Sequence, residues 1–192
     1  MLAPKRQMTF RVVLPGGQDR LKQMILYVAQ SCVDAARFGR VKLNKILWKS
    51  DFDSYAATGV PVTGCSYQRL ELGPAPKAML PLLTEMVRGG LLREDVTDFQ
   101  DGVKEYRSIA LVEPQMHYFS AKDIQFVDAA VAYYWYLTGQ ETSDDSHGIA
   151  WSTRSNFDPM PYEAALLSAR APGPNQLKRM KSRIQQQGLQ SE

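Results

Sequence analysis

The residue types that most often bind metals or carry out catalysis are few in this chain and far apart. Among 192 residues there are two histidines, His117 and His147, and two cysteines, Cys32 and Cys65. A closed zinc site needs four nitrogen or sulfur ligands at short, regular spacings. Neither a C-x-x-C nor an H-x-x-x-H pair is present. The sequence therefore predicts no metal site and no cofactor.

Motifs for catalysis on small molecules are also missing from the sequence. It contains no G-x-S-x-G elbow, no phosphate-binding loop and no G-x-G-x-x-G. Asp51 and Asp53 point about 160° apart on a helix, so they cannot share a substrate as paired carboxylates do. The run from Asp144 to His147 is typical of a polar helix entry rather than of a triad. An enzyme is therefore the least favoured hypothesis.

Composition and charge are those of an ordinary folded domain. Hydrophobic residues make up 44% of the chain and charged residues 22%. No apolar run approaches the roughly 20 residues of a membrane helix, and the basic residues 1–6 are not followed by an apolar stretch. We therefore expect a cytoplasmic protein with no membrane partner. The net charge of +3 is a mild excess, concentrated in the last twenty residues.

The spacing of apolar residues predicts mostly helices and one β-hairpin. Helices are indicated over residues 18–37 and 41–57, and again after Pro76 and after Ser120. Two β-like stretches, 92–99 and 103–112, flank Asp101-Gly102, which is typical of a hairpin turn. A short strand is indicated over 63–72, which Gly73-Pro-Ala-Pro76 should end.

This order of elements predicts a mainly α fold with a small antiparallel β component. We interpret it as a winged-helix-like helical domain with a β-hairpin and extra C-terminal helices. Three regions are expected along the chain: an N-terminal arm at 1–17, a single domain at 18–170, and a basic, glutamine-rich tail at 171–192.

The helix predicted over residues 41–57 is apolar around most of its circumference, which is typical of a central helix. Its lysines and one acid, Lys42, Lys45, Lys49 and Asp53, share one narrow strip, which we expect to face solvent. Asp51 lies nearly opposite, among apolar neighbours, and would need a polar partner if buried. Arg69 is the candidate partner.

Three stretches of the sequence resemble one known family. VKLNKILWKSDF at 41–52 resembles the "K-L-x-K-L-L-y-x-a-D-f" helix of the SocA-like Panacea antitoxin domain. TGVPVTG at 58–64, followed by Tyr67 and by GPAP at 73–76, is similar to that family's "T-G-x-P-I-T-G-x-x-Y-x-x-x-x-x-G-P-V-P". HGIAW at 147–151 and PYE at 161–163 resemble its C-terminal "S-H-x-x-x-W" and "I-P-Y-E" elements.

The resemblance implies a non-enzymatic antitoxin that neutralises a cognate toxin by direct contact. Some members of the family also deliver the toxin to a protease. We expect the partner to meet the strand region and the loop after it, with two aromatic anchors: Tyr55, Tyr67, Arg69, Gly73, Pro74, Pro76 and Trp151. Asp51 and His147 are interpreted as structural polar residues.

A DNA-binding regulator is the alternative function. A winged helix would place the helix after Pro76 in the major groove. That helix carries only two basic residues, Lys77 and Arg88, against Glu85. Groove entry normally brings several phosphate contacts, so DNA binding is possible but not favoured over a protein partner.

Overall fold

A computed structural model describes residues 8–99, 102, 104–167 and 182. The helices in this part of the chain are α1 (Gly17–Ser31), α2 (Arg40–Thr58), α3 (Met79–Arg88), α4 (Ala121–Tyr134), α5 (Gly139–Asp145) and α6 (Ile149–Ser152). The strands are β1 (Tyr67–Leu70), β2 (Gly73–Pro76), β3 (Leu92–Asp98), β4 (Lys104–Ala110) and β5 (Pro159–Met160). Two 3-10 helices cover Met116–Tyr118 and Tyr162–Leu166.

The strands form two small antiparallel sheets. One has three strands in the order β2-β1-β5, and the other is the β3–β4 hairpin that the sequence predicted. The mainly helical class with small antiparallel sheets is confirmed, whereas the winged-helix arrangement and the three-region division stay predictions. Apart from position 182, the predicted tail at 171–192 lies outside the described residues.

Helix α2 runs through the centre of the molecule and contributes to two apolar cores. Its first half places Leu43, Ile46 and Leu47 in the main core with α1, α3 and α4. Its second half places Phe52 in a smaller aromatic core with Tyr67 of β1 and Tyr162 of the second 3-10 helix. A helix covered on this many sides places several of its polar residues inside the protein, among them Asp51 and Lys45.

The prediction that the lysine strip of α2 faces solvent is wrong for its first two members. Lys42 and Lys45 are each only 1% exposed. Lys42 is covered by helix α4 and the segment that follows it, and its Nζ donates to the Trp135 carbonyl at 3.2 Å. Lys45 is covered by β2. Lys49 and Asp53 do remain at the surface, as an ion pair of 2.9 Å.

Helix α1 ends six residues earlier than the apolar spacing predicted. Its last residue is Ser31, and the apolar positions at Cys32, Ala35 and Phe38 are buried from turns instead. Arg107 of β4 explains this ending, because its guanidinium donates to the carbonyls of residues 32, 33 and 35. Carbonyls bonded to this arginine no longer need the next helical turn as their donor.

Strand β1 does end before Gly73-Pro-Ala-Pro76, as predicted, but these residues are not a loop: they form a second strand, β2. The backbone of Arg69 bonds toward the β5 side, to Asp158 and Phe157, so its neighbour Gln68 must bond toward β2. Gln68 pairs with Ala75. The prolines on either side of Ala75 therefore turn their ring nitrogens away from β1.

Strand β2 is an edge strand, and this is what makes its two prolines compatible with a sheet. Proline lacks an amide hydrogen and is tolerated where the backbone nitrogen points outward from an edge. The same alternation aims the carbonyl of Pro74 away from β1, where it accepts a hydrogen bond from Lys45 Nζ at 3.0 Å.

Gly73 begins β2 at a φ of +95°, a backbone conformation that favours glycine, and it packs tightly on α2. A Cβ here would lie 2.6 Å from Lys45 Cε and closer still to Ser146 Oγ. Gly59 ends α2 at a φ of +78° but would meet nothing within 4 Å. A comparison of the two glycines therefore separates the energetic cost of left-handed backbone strain from the cost of disturbing close packing.

We expect Gly59→Ala to lower the free energy of unfolding by about 1 kcal/mol, which is the cost of left-handed backbone strain alone. Gly73→Ala should lower it by about 3 kcal/mol, because strain and displacement of Lys45 add. Urea unfolding monitored by circular dichroism measures both. Equal losses in the two variants would show that the packing of Gly73 on α2 contributes nothing.

Candidate functional site

Asp51 of α2 is fully buried and collects hydrogen bonds from three other segments. Its Oδ1 accepts from the Thr63 amide at 2.5 Å, and its Oδ2 accepts from the Thr63 hydroxyl and from Tyr67 OH at 2.9 Å. Tyr162 OH lies 3.4 Å from the same oxygen and donates to the Cys65 carbonyl at 2.6 Å. We call Asp51, Thr63, Tyr67 and Tyr162 the aspartate hub.

The structural polar role expected for Asp51 agrees with these contacts, but Arg69 as its partner is wrong. Desolvation raises the Asp51 pKa to about 6, and the hydrogen bonds from Thr63 and the two tyrosines offset part of that rise. One of the two tyrosine hydroxyls belongs to Tyr67, which was expected at the surface, and the other to Tyr162, for which no contact was predicted. No spacing rule links residues so far apart, but all four coincide with residues of the motifs that carry the family resemblance: the aspartate of the α2 helix, the second threonine and the tyrosine of T-G-x-P-I-T-G-x-x-Y, and the tyrosine of I-P-Y-E.

Arg69 instead belongs to a stacked cluster with Trp151 and His147. The His147 ring lies parallel to the Trp151 ring, with centroids 3.7 Å apart. The Arg69 guanidinium is 4.2 Å from the Trp151 centroid, so it must occupy the opposite face. Trp151 Nε1 donates to the Leu70 carbonyl at 2.7 Å, which fixes the indole against β1. Three predicted site residues, Arg69, His147 and Trp151, are thereby brought together.

The other predicted contact residues are distributed differently. Tyr67 is only 1% exposed, so the prediction that its side chain lies on the surface is wrong. Gly73, Pro74 and Pro76 are buried as well. Tyr55 is half-buried, stacks on Tyr162 at 5.2 Å and donates to Glu163 at 3.1 Å. Partner binding by these residues stays a prediction.

Lys45, which was expected to face solvent, is instead a buried lysine next to β2. Its ammonium donates to the Pro74 carbonyl, and no carboxylate within the described residues forms an ion pair with it. Desolvation lowers the Lys45 pKa to about 7. A buried lysine of this kind is poised between its charged and neutral forms at physiological pH.

An open groove of about 530 Å³ lies beside Lys45, between the start of α2, the β1–β2 hairpin and α3. Its apolar rim is formed by Leu72, Leu80 and Phe157, which are 51%, 58% and 67% exposed. Asn44 and Lys45 line its α2 side. We call this the hairpin groove. Sequence reasoning missed it because the rim residues come from three separate elements.

The described residues offer little for metal or membrane chemistry. Within them, no three His, Cys, Asp or Glu side chains are grouped so that they could hold a metal ion. No helix in the same part of the chain is both long and apolar enough to cross a membrane.

Comparison with known proteins decides the family. The sequence profile described as "Antitoxin SocA-like, Panacea domain" matches residues 43–152, which is more than half of the chain. The chain belongs to the SocA-like Panacea antitoxin family. No curated protein and no solved structure gives a match.

The matched Panacea domain contains most of the site but not all of it. Asp51, Lys45 and the whole stacked cluster lie within residues 43–152. Phe157 of the hairpin groove and Tyr162 of the aspartate hub lie beyond it. The segment after the matched region therefore completes both the hub and the groove.

We expect Asp51→Ala to lower the free energy of unfolding by about 3 kcal/mol, because buried donors of Thr63 and Tyr67 lose their acceptor. Asp53→Ala is a matched control two residues away. It removes only a surface ion pair with Lys49 and should change stability by less than about 0.5 kcal/mol. Urea unfolding of both variants compares them; similar losses would contradict a special role for Asp51.

The lowered pKa of Lys45 predicts an unusual dependence of the free energy of unfolding on pH. Its folded pKa of about 7 lies below the ordinary value of 10.5, so the unfolded chain binds more protons between these two limits. The free energy of unfolding should therefore rise as pH increases from about 7, at up to about 1.4 kcal/mol per pH unit. Lys45→Met should lack this rise. Parallel pH profiles for the two proteins would contradict the lowered pKa.

Proposed function

We propose that this chain is an antitoxin that neutralises a cognate toxin by covering part of its surface. Membership of the Panacea family carries the proposal, since that family consists of antitoxins. The site supports it, because Asp51 is fully buried and hydrogen-bonded inside the protein and is not presented to a small substrate. Among the side chains that the protein presents outward are several large apolar and aromatic ones.

The stacked cluster and Tyr55 are the proposed contact residues among those expected from the sequence. Arg69, Trp151 and Tyr55 are half-buried and belong to residue types enriched at interface hot spots. Four buried residues support this surface in the proposal: Tyr67, Gly73, Pro74 and Pro76. They fix the β1–β2 hairpin against α2, so that the surface above it keeps its shape without the partner.

The charge on α3 and the β3–β4 hairpin favours a protein over DNA as the partner. The exposed side of α3 carries Leu80 and Val87 beside Arg88, and Glu85 is paired with Lys22 at 2.8 Å. Two basic residues of the hairpin are paired with acids of the same hairpin, Arg93 with Asp95 and Lys104 with Asp98. Little unpaired positive charge is left for phosphates.

Co-expression tests the proposal directly. The product of the adjacent reading frame should stop growth when produced alone, and this chain should restore growth and co-purify with that product. A constant toxin level in rescued cells supports neutralisation by contact, whereas a falling level supports delivery to a protease. A neighbour that is harmless, or a toxin that is neither bound nor degraded, would refute the antitoxin function.

The contact surface is tested by Arg69→Ala against Arg93→Ala. Arg69→Ala should weaken toxin binding at least about fivefold, the equivalent of about 1 kcal/mol, because it removes a guanidinium stacked on Trp151. Arg93 is an exposed arginine on the other sheet, and its loss should leave affinity unchanged. Calorimetry on folded variants gives both constants. Equal affinities would remove the stacked cluster from the interface.

A further inference from the structure

The hairpin groove has an apolar rim that no described part of the chain covers. Leu72 follows β1, Leu80 lies in the first turn of α3, and Phe157 lies in the loop before β5. Each is more than half exposed, and together they border a groove of about 530 Å³. A single exposed apolar residue is ordinary, but a contiguous patch around a groove marks an interaction site.

Phe157 is held at this rim in an unfavourable backbone conformation. Its φ is +69°, the only positive φ of a non-glycine residue in the described chain. The loop is fixed by Arg69, whose carbonyl accepts from the Phe157 amide at 2.8 Å and whose guanidinium donates to Asn156. Strain of this kind persists where the surroundings impose it, and it is concentrated at binding sites.

The α2 side of the groove carries polar atoms that lack partners. Lys45 is 1% exposed and lines the groove, and its ammonium has donors to spare beyond the bond to Pro74. Asn44 Oδ1 and Arg40 Nε are buried atoms without a hydrogen bond among the described residues. Buried polar atoms are normally satisfied, so unpaired atoms of residues that line an open groove point to a partner that reaches into it.

The charge of the groove selects the occupant. Lys45, Lys77 and Arg40 line it against a single acid, Glu71, although Arg40 also pairs with Glu94 at 2.8 Å. A carboxylate placed here would meet a lysine that has no acidic partner. A second lysine would face it from the β2–α3 junction.

The mode of binding is restricted by the edge of the sheet. Strand β2 turns Pro74 and Pro76 outward and so offers no amide hydrogens to an added strand. An occupant therefore binds through its side chains and through Asn44 rather than by extending the sheet.

We propose that the hairpin groove binds an extended segment of the toxin in which an apolar side chain lies next to a carboxylate. The apolar side chain packs between Leu72, Leu80 and Phe157. The carboxylate pairs with Lys45, and a backbone amide of the segment donates to Asn44 Oδ1. This inference rests on the proposed antitoxin function but names a different surface from the stacked cluster.

A displayed library of random 12-residue peptides, panned on the full chain, tests the groove without the toxin. Enriched peptides should share an apolar residue adjacent to Asp or Glu. Their affinity should fall about tenfold or more with Leu80→Glu, which repels the carboxylate and removes the apolar contact, and with Lys45→Met, which keeps the side-chain length without the charge.

Two further variants keep the test decisive. Val96→Glu places the same charge at an exposed position of β3 and should leave peptide affinity unchanged. Phe157→Gly relieves the positive φ while deleting the ring, so it should fold at least as well as the original chain and still bind peptides about tenfold more weakly.

Several outcomes would overturn the groove proposal while the antitoxin function stands. These are no enrichment, enriched peptides without an acid, or affinities that Leu80→Glu and Lys45→Met leave unchanged. A chain that is dimeric in sedimentation and becomes monomeric with Leu80→Glu would assign the groove to a second copy instead. Failure of rescue in cells, with peptide binding intact, would refute the antitoxin function and keep the groove.

Discussion

The burial of one carboxylate, Asp51, is the constraint on which the arrangement around α2 depends. An ionised carboxylate inside an apolar core is costly unless hydrogen bonds compensate for the lost water. Thr63 and Tyr67 supply those bonds from a loop and a strand, and Tyr162 of a 3-10 helix places its hydroxyl beside the same carboxylate while donating to the Cys65 carbonyl. Each of these segments must therefore lie in one register relative to α2, and the aromatic core around Phe52 forms as a consequence.

Lys45 attaches the same hairpin to α2 from a second side. Asp51 contacts Tyr67 of β1, whereas Lys45 contacts Pro74 of β2, and these strands are paired with each other. Two buried groups of opposite charge thus hold one hairpin at two points. Their pKa values shift toward each other, to about 6 and about 7, because desolvation disfavours both charged forms. Between these values both groups are largely charged, so the cost of burying them is greatest near neutral pH.

Local signals in the sequence predicted the elements, but they did not predict the partners of the polar groups. The hairpin, the helix after Ser120 and the helix over residues 41–57 follow from residues close together in the chain. The prediction of an exposed lysine strip was wrong because helical spacing shows which residues share a face but not what covers that face. Arg69 is not the partner of Asp51, because tyrosine hydroxyls from distant segments occupy the positions around that carboxylate. The prolines of β2 were compatible with a strand only because that strand lies at an edge.

The buried polar groups that hold the fold and the apolar residues that form the rim of the hairpin groove are different residues, and this affects how a partner can be recognised. The hairpin groove exists without a partner, and its walls are held by the bonds of Arg69 to Asn156 and Phe157 and by the bond between Lys45 and Pro74. Binding to a preformed groove loses less conformational entropy than binding that must order a loop. None of Leu72, Leu80 and Phe157 is among the hydrogen-bond partners of Asp51, so their identities can change while the aspartate hub keeps its bonds. A scaffold of this kind can acquire a different protein partner by substitutions at the rim, at little cost to the stability of the fold.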